Sequence, residues 1–323
     1  MKTYAVLGLG SIGKKHLQNL KELYPNDRIV AISSSGKNPD IPTNADANVS
    51  IQNAISMMPR FVIIASPASY HLDHARQFIF NGTPVLIEKP LSSLCPSSNE
   101  VKSFVQQADH EKVGVGYCLR FLPSAIYLKN FLEKNYLGKI YNVDSHVGQY
   151  LPSWRPNIDY RQSVSATKSL GGGALFELSH ELDYLLWLFG PLHVKHVNIR
   201  NTSELSLEVE DLVDCVLNNG ETHITLHLDF IQKFPIRRCE ILGEKGKLTW
   251  NLLEDSIILY EESKKHYLFQ GKKDAKKTMY LEMIRAFNQK LDGKISNLAD
   301  INSSLRVLEI IEDIRSCGLE EKV

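Results

Sequence analysis

A glycine-rich turn near the start of the chain has the residue types and spacing of a nucleotide-binding site. Gly8, Gly10 and Gly13 form the pattern G-x-G-x-x-G, directly after a β-rich apolar run and at the start of a helical one. In that context Gly8 allows a tight turn, Gly10 lets the backbone approach a pyrophosphate, and Gly13 lets the helix pack close to the strand. Ser11 and Ile12 begin the helix, whose free amide groups and positive dipole end attract phosphates. The pattern predicts a dinucleotide cofactor and is shared by NAD and FAD sites.

The segment after the second predicted strand bears on the choice of cofactor. An NAD site normally has Asp or Glu here, which binds the ribose 2′-hydroxyl. No carboxylate lies between Arg28 and Lys37, and Ser33, Ser34 and Lys37 offer hydroxyls and a cation instead. These groups suit a 2′-phosphate. The sequence therefore favours NADP over NAD, and the alternative is a polar loop that does not discriminate between them.

A lysine follows a later strand of the same predicted sheet. The predicted strand at residues 84–87 is followed by Glu88, Lys89 and Pro90. Ligands of parallel sheets lie outside the carboxyl ends of the strands, where a Lys can hydrogen-bond a substrate hydroxyl or carbonyl. Lys89 is therefore a candidate catalytic residue, and the alternative is a solvated surface cation.

A second group of polar residues follows three consecutive glycines at 171–173. At 100° per residue, Glu177, His180, Glu181 and Tyr184 share one face of a helix that we predict to run to Phe189, and leucines occupy the other face. Histidine is the commonest general acid or base near neutral pH. The alternative is a solvated polar face.

The elements that position these residues divide the chain in two. Strand and helix signals alternate over residues 1–122, which predicts a doubly wound parallel sheet that binds the dinucleotide. Residues 123–323 contain successive long strands with tight turns between helices, which predicts an α+β domain with a mainly antiparallel sheet. The fold class is thus α/β followed by α+β, and the second domain is expected to bind substrate and to mediate oligomerisation.

Taken together, the motifs resemble those of the glucose–fructose oxidoreductase/inositol dehydrogenase (Gfo/Idh/MocA) family over nearly the whole chain. The resemblance is carried by the glycine-rich turn, Ser66-Pro67 with His71, Glu88-Lys89-Pro90, Arg120-Phe121-x-Pro123, and Gly171-Gly172-Gly173 with His180-x-x-Asp183. It implies an N-terminal Rossmann domain, a C-terminal domain built on an open antiparallel sheet, and hydride transfer between NAD(P) and a sugar, cyclitol or related polyol. It also places Ser66, Pro67, His71, Glu88 and Lys89 at the cofactor.

The resemblance also implies catalytic roles. Lys89 positions and polarises the reacting oxygen, and His180 acts as general acid or base. Many members have an Asp four residues before the His, whereas here Glu177 lies three residues before it, so Glu177, Glu181 and Asp183 are all candidates for the supporting carboxylate. The usual Asn two residues before Arg120 is a cysteine in this chain.

The segment 149–161 is rich in side chains that suit a large polar ligand. Trp154 and Tyr160 can stack on a sugar face, and Arg155 and Arg161 can bind a carboxylate or phosphate. We add Arg120 and Tyr184 to these predicted substrate residues. The segment resembles that of members associated with surface-polysaccharide and amino-sugar synthesis, and the alternative is a structural loop or an oligomer contact.

Composition limits the possible partners. The 323 residues carry 37 basic and 37 acidic side chains, so no net charge points to nucleic acid or to an anionic membrane. The apolar runs are too short to span a bilayer, and the N-terminal one is too short for a signal peptide. Five cysteines without C-x-x-C spacing predict neither disulfides nor a metal site.

We therefore expect a cytoplasmic homodimer or homotetramer that acts on a small sugar-type substrate. Two alternatives stay open at this point. One is an NAD-dependent glycosidase of the same family, which oxidises its substrate transiently. The other is a dinucleotide-binding regulator without turnover.

Overall fold

The computed structural model describes residues 1–33, 40–272 and 274–320. Contacts between Cα atoms divide the chain into two compact units. Unit 1 contains residues 1–118 and 280–305, and unit 2 contains residues 119–279 and 306–323. A single boundary between residues 122 and 123 does not describe this division, because the segment 280–305 packs with the first unit. The assignment of one function to each predicted domain stays a prediction.

Unit 1 contains a six-stranded sheet, sheet A, in which every pair of neighbouring strands is parallel. Its strands are β1 (Thr3–Leu7), β2 (Arg28–Ile32), β3 (Ala47–Val49), β4 (Phe61–Ile64), β5 (Val85–Ile87) and β6 (Val113–Val115), in the spatial order β3-β2-β1-β4-β5-β6. Its helices are α1 (Ser11–Leu23), α2 (Ile51–Ser56), α3 (His71–Ile79) and α4 (Asn99–Gln107). The predicted doubly wound parallel sheet is confirmed. Except for the half-buried β3, the strands are almost entirely buried and rich in Val, Ile and Leu, as expected of a sheet covered on both faces.

The later segment that joins unit 1 is held by contacts to the sheet and its loops. The amide of Val115 donates to the carbonyl of Ala299 at 2.9 Å. Lys290 Nζ donates to the carbonyls of His110 and Val113 at 2.8 and 3.0 Å. These partners are far apart in the sequence, and this is why local patterns did not assign the segment to the first unit.

Unit 2 is built on an eight-stranded sheet, sheet B. Its strands are β7 (Ile140–Gly148), β8 (His193–Arg200), β9 (Leu212–Asn218), β10 (His223–Asp229), β11 (Ile236–Gly243), β12 (Gly246–Asn251), β13 (Ser256–Glu261) and β14 (Lys264–Gln270), in the order β14-β13-β12-β11-β7-β10-β9-β8. All neighbours are antiparallel except β7 and β10, which are parallel. The predicted mainly antiparallel sheet is confirmed.

The remaining helices are α5 (Pro123–Glu133), α6 (Ala174–Glu177), α7 (His180–Phe189), α8 (Ala275–Lys290) and α9 (Ile301–Glu320). Tyr184 of α7 reaches Ser145 of β7, with 2.6 Å between the two hydroxyl oxygens, and lies edge-on to Trp250 of β12. The inner face of sheet B is therefore the one that packs against α7. No helix in the described ranges is long and apolar enough to cross a bilayer.

The opposite, outer face of sheet B is polar along β10, which bears on the expected oligomerisation. An open sheet with one uncovered apolar face would be a physical reason for the oligomerisation that we expect of this unit, because association could bury that face. On β10 the apolar residues Ile224, Leu226 and Leu228 are buried, and the alternate positions are His223, Thr225 and His227. This part of the outer face is therefore polar, and a homodimer or homotetramer stays a prediction without that argument.

Candidate functional site

The glycine-rich turn follows β1 and uses its three glycines differently. Gly8 has φ +96°, and a Cβ on it would lie 2.6 Å from backbone atoms of Ala65 and Ser66. A Cβ on Gly13 would overlap the carbonyl oxygen of Gly8, whereas no described atom lies within 4 Å of a Cβ on Gly10. Gly8 and Gly13 thus allow backbone segments to pack closely at the turn, whereas Gly10 faces open space.

The open space at Gly10 lies at the start of α1. Gly10 caps this helix in an extended conformation, and Ser11 and Ile12 form its first turn. The first amides of a helix have no partner inside the helix, so they can receive an anion. The arrangement fits the pyrophosphate of a dinucleotide.

Of the loop predicted to distinguish NADP from NAD, the structure describes only the first residue. Ser33 follows β2, is half-buried, and donates its amide to the carbonyl of Val49 at 3.3 Å. Ser34 and Lys37 lie outside the described residues.

His71 connects the ends of two neighbouring strands. Pro67 precedes a short 3-10 turn after β4, and His71 begins α3 and is 1% exposed. Its Nε2 lies 2.8 Å from the carbonyl oxygen of Ser66, and its Nδ1 lies 2.7 Å from that of Pro90. Burial lowers the pKa of His71, against the two backbone hydrogen bonds, which raise it. The side chain therefore ties the Ser66-Pro67 turn to the turn that contains Lys89.

Glu88 precedes the candidate catalytic lysine and is buried, at 8% exposure. Its Oε1 lies 2.6 Å from His16 Nε2, and its Oε2 accepts the Lys89 amide at 3.3 Å. Burial raises the pKa of Glu88, but the hydrogen bond and charge of His16, together with Lys89 and His71, bring it below the ordinary value. Glu88 is thus held as a carboxylate next to half-buried Lys89.

His16 was missed in the sequence analysis. It lies on α1 three residues after Gly13, and Gly13, His16, Leu17 and Leu20 are the buried side of that helix. Helical spacing from Gly13 could have placed His16 facing inward. Its partner Glu88 is 72 positions away, so the sequence pattern could not have identified the pair.

The three glycines in unit 2 allow a close approach between protein elements. A Cβ on Gly172 would lie 2.5 Å from the carbonyl oxygen of Val164, and one on Gly173 would overlap the Glu210 carboxyl group. Glu210 also accepts the amide of Leu175 at 3.2 Å. The glycines therefore fit this segment against Glu210 and the preceding loop.

The predicted continuous helix after these glycines is wrong. The structure has α6 and α7, separated by Leu178 and Ser179, because Leu178 leaves helical geometry with φ −99° and ψ 18°. The angular positions computed from Glu177 therefore do not carry over to His180. His180 is the first residue of α7, and both it and Glu177 are half-buried.

Two residues of the predicted polar face, Glu181 and Tyr184, are buried, and so is Asp183, which was not part of that face. Asp183 forms a two-point ion pair with Arg120, with Nη2–Oδ1 at 2.6 Å and Nε–Oδ2 at 3.0 Å. Glu181 pairs with Arg237 in the same way, at 2.7 and 2.9 Å. Burial raises the pKa of Asp183, and the charge of Arg120 opposes that rise. Glu181, Asp183 and Tyr184 are each fully buried, and Arg120 is only 5% exposed. The predicted substrate residues Arg120 and Tyr184 therefore do not lie at an open surface.

The aromatic and basic loop forms a small pocket of its own. The pocket is lined by Leu151, Trp154, Arg155, Ile158, Tyr160, Ser163 and Ser165. Trp154 lies edge-on to Phe230, and the Tyr160 hydroxyl donates to the Leu205 carbonyl at 3.2 Å. Arg155 is exposed, whereas Arg161 pairs with Asp159 at 3.0 Å. Three of the predicted substrate residues, Trp154, Arg155 and Tyr160, thus lie together.

Two family descriptions match this chain over most of its length. Residues 2–117 match the oxidoreductase family with an NAD-binding Rossmann fold, and residues 126–249 match the GFO/IDH/MocA C-terminal domain. The chain belongs to the Gfo/Idh/MocA oxidoreductase family. The predicted family and oxidoreductase class are confirmed.

Relatives of this Gfo/Idh/MocA protein agree with the assignment. An uncharacterised oxidoreductase from Synechocystis is 30% identical over 283 residues, which are 76% of this chain and 71% of the relative. Inositol 2-dehydrogenase from Corynebacterium glutamicum is 26% identical over 67% of this chain and 63% of its own length.

Solved structures share the fold at lower identity. A levoglucosan dehydrogenase in complex with NADH and levoglucosan has a TM-score of 0.82 and 18% identity, and the match covers 99% of this chain and 97% of that one. UDP-N-acetylglucosamine 3-dehydrogenase from Acidithiobacillus ferrooxidans has a TM-score of 0.76 and 18% identity, with coverage of 98% and 97%.

Proposed function

We propose that this protein transfers hydride between NAD(P) and a hydroxyl or ketone of a sugar or sugar derivative. The observation that carries the proposal is in sheet A, where the open helix start at Gly10 and the half-buried Lys89 both follow the carboxyl ends of parallel strands. Ligands of open α/β sheets lie at that edge. The names of the relatives, which act on inositol, levoglucosan and UDP-N-acetylglucosamine, support a polyol or sugar derivative. An amino-sugar or surface-polysaccharide precursor is within this class.

The residues that hold the cofactor are those of unit 1. The amides at Gly10, Ser11 and Ile12 bind the pyrophosphate, and Ser66 and Pro67 border the site. The nicotinamide, when bound, accepts or supplies the hydride. His71 and Glu88 act as positioning residues, since both are buried, His71 contacts the carbonyl oxygen of Pro90, and Glu88 accepts the amide of Lys89.

The proton chemistry belongs to Lys89 and His180. The Lys89 ammonium hydrogen-bonds the reacting oxygen and stabilises charge on it, and the His180 imidazole takes or returns the hydroxyl proton. Asp183 and Glu181 form buried ion pairs with arginines that fix α7, and we assign the role of supporting carboxylate to the half-buried Glu177. Arg120, Asp183 and Tyr184 then act by fixing α7, and the pocket of Trp154, Arg155 and Tyr160, with Arg161 beside it, recognises the polar remainder of the substrate.

The experiment is a substrate screen followed by two variants. Purified protein is tested with NAD⁺ and NADP⁺ against inositols, levoglucosan, sugar phosphates and UDP-sugars, by absorbance of the reduced nicotinamide. Lys89→Met and His180→Asn should lower turnover roughly 10²–10⁴-fold and leave cofactor affinity within a few-fold. The exposed residues Lys102 and His193 provide matched controls as Lys102→Met and His193→Asn. Wild-type turnover in His180→Asn would overturn its role, and sugar release without net reduction would replace the dehydrogenase by a glycosidase.

We also propose that NADP(H) binds at least as tightly as NAD(H), because no carboxylate lies in the segment from Ser33 to Lys37. Ser33→Asp should shift the preference toward NAD by repelling the 2′-phosphate. Calorimetric titration with both cofactors measures this, and a clear NAD preference of the wild type would contradict the proposal.

A further inference from the structure

Two histidines on the outer face of sheet B lie side by side, on the opposite side from α7. His146 of β7 and His227 of β10 are partners in the register of these two parallel strands, and their ring centroids are 4.4 Å apart. Asp229 lies two residues after His227 on the same strand and therefore on the same face. One nitrogen from each imidazole and one carboxylate oxygen all lie within 4.8 Å of one another. Three side chains with ligand atoms for a metal thus meet at one point.

The Asp229 carboxylate is held so that one oxygen points at the histidines. Its Oδ1 accepts the amides of Ile231 and Gln232 at 2.8 and 2.7 Å. Its Oδ2 lies 3.0 Å from His227 Nε2. The side chain is 3% exposed, so this oxygen is a buried acceptor with a fixed direction.

The ring of His227 also contacts a second carboxylate. Nδ1 lies 2.6 Å from Oδ1 of Asp214, on the neighbouring strand β9. A carboxylate accepts hydrogen bonds only, so Nδ1 carries a hydrogen toward Asp214, and Nε2 carries one toward Oδ2 of Asp229. A metal ion that binds Nε2 would take the place of this second proton, while Asp214 keeps its hydrogen bond to Nδ1. A carboxylate that orients a histidine in this way is the usual second partner of a metal-binding imidazole.

The space around these atoms is kept by Gly148. A Cβ there would overlap Oδ2 of Asp229 and Oε1 of Gln232. The Gln232 amide is oriented by donation from Nε2 to the carbonyl of Phe234 at 2.8 Å, so that Oε1 lies 3.1 Å from His146 Nε2. A fourth candidate ligand atom, this time an amide oxygen, is thereby turned toward the same point.

We propose that His146, His227 and Asp229 bind a divalent transition-metal ion of the zinc class, with the Gln232 oxygen or a water in the fourth position. Imidazole nitrogens with one carboxylate are a common zinc ligand set, whereas Mg²⁺ and Ca²⁺ prefer oxygen ligands. The ion would join β7 to β10, the one parallel pair of sheet B. The ligands come from two strands far apart in the sequence, and for this reason no cysteine or histidine spacing predicted the site.

The test is a Zn²⁺ titration of the full chain after removal of metals with a chelator. We expect one tightly bound ion per chain, and an increase in melting temperature that follows the Zn²⁺ concentration. His227→Asn and His146→Asn should abolish this binding. Asp214→Asn keeps all three ligands and should weaken the Zn²⁺ affinity roughly 10–100-fold. His223→Asn is the control, since His223 is exposed on the same face of β10, and it should bind as the wild type does.

A second measurement uses the wild type alone, so it does not depend on whether the variants fold. Co²⁺ bound in the wild type should give the intense visible absorption of a four-coordinate site, and added Zn²⁺ should remove it. The inference is overturned if the wild type binds Zn²⁺ no more tightly than His146→Asn. It is also overturned if the Co²⁺ spectrum of the wild type is that of the aqueous ion.

Discussion

His16 and Glu88 join the helix of the glycine-rich turn to the residue before Lys89, through a 2.6 Å hydrogen bond between His16 Nε2 and Glu88 Oε1. His16 is fully buried. One buried contact within unit 1 therefore links the helix of the glycine-rich turn to the residue that precedes the candidate catalytic lysine. It acts beside His71, which joins the same segment to the Ser66-Pro67 turn.

The first prediction concerns this contact. His16→Phe removes the hydrogen-bonding group and leaves the buried Glu88 carboxylate without its partner, which should lower the free energy of unfolding by about 3 kcal/mol. His16→Gln retains an amide donor and should recover part of the loss. Urea unfolding of the three proteins measures the difference. Equal stability of His16→Phe and wild type would show that Glu88 does not need His16.

The second prediction is a pH dependence due to Glu88. Its pKa in the folded protein lies below the ordinary value of 4.5, so as the pH falls the unfolded chain takes up this proton first. The stability contributed by Glu88 is therefore present above about pH 4.5 and lost below it. In Glu88→Gln the free energy of unfolding should fall less steeply with acid than in the wild type, whereas the exposed control Glu111→Gln should follow the wild type. Parallel curves for Glu88→Gln and wild type would contradict the assignment.

Local patterns predicted those parts of the molecule that local physics determines. Except for β3, the strands of sheet A are short apolar runs, and the turn from Gly8 to Gly13 follows from the backbone freedom and small size of glycine. The strands Ala47–Val49 and Lys264–Gln270 were not predicted, because the first has only three residues and the second begins with three polar ones and shows no clear alternation.

The site residues show where such patterns stop. The spacing of 100° per residue predicted a polar helix face from Glu177 to Tyr184. Such a period carries no information about which distant residues pack against that face. Arg120 and Arg237 are 63 and 56 positions from their acidic partners, so the buried ion pairs could not be predicted. The break at Leu178 was also not predicted, since leucine is a good helix former.

The third prediction concerns the ion pair of Arg120 and Asp183. Arg120→Met or Asp183→Leu alone leaves one charge buried without its partner and should cost about 3–5 kcal/mol. The double variant removes both charges, so its loss should be well below the sum of the two single losses. Urea unfolding of all four proteins gives the coupling energy. Additive losses would show that the two side chains do not stabilise each other.

The last prediction separates the two roles of glycine in the turn. Gly10 has ordinary extended geometry and faces open space, so Gly10→Ala should leave stability nearly unchanged, and its methyl group should hinder the approach of the pyrophosphate. Gly13→Ala places a methyl group against the Gly8 carbonyl and should lower the free energy of unfolding by roughly 1–3 kcal/mol through overpacking. Thermal unfolding without cofactor and titration with NAD(H) and NADP(H) measure the two effects separately. Because Gly10→Ala alters affinity without altering stability, it tests the cofactor site itself, and unchanged affinity for both cofactors in a folded Gly10→Ala protein would place the pyrophosphate elsewhere.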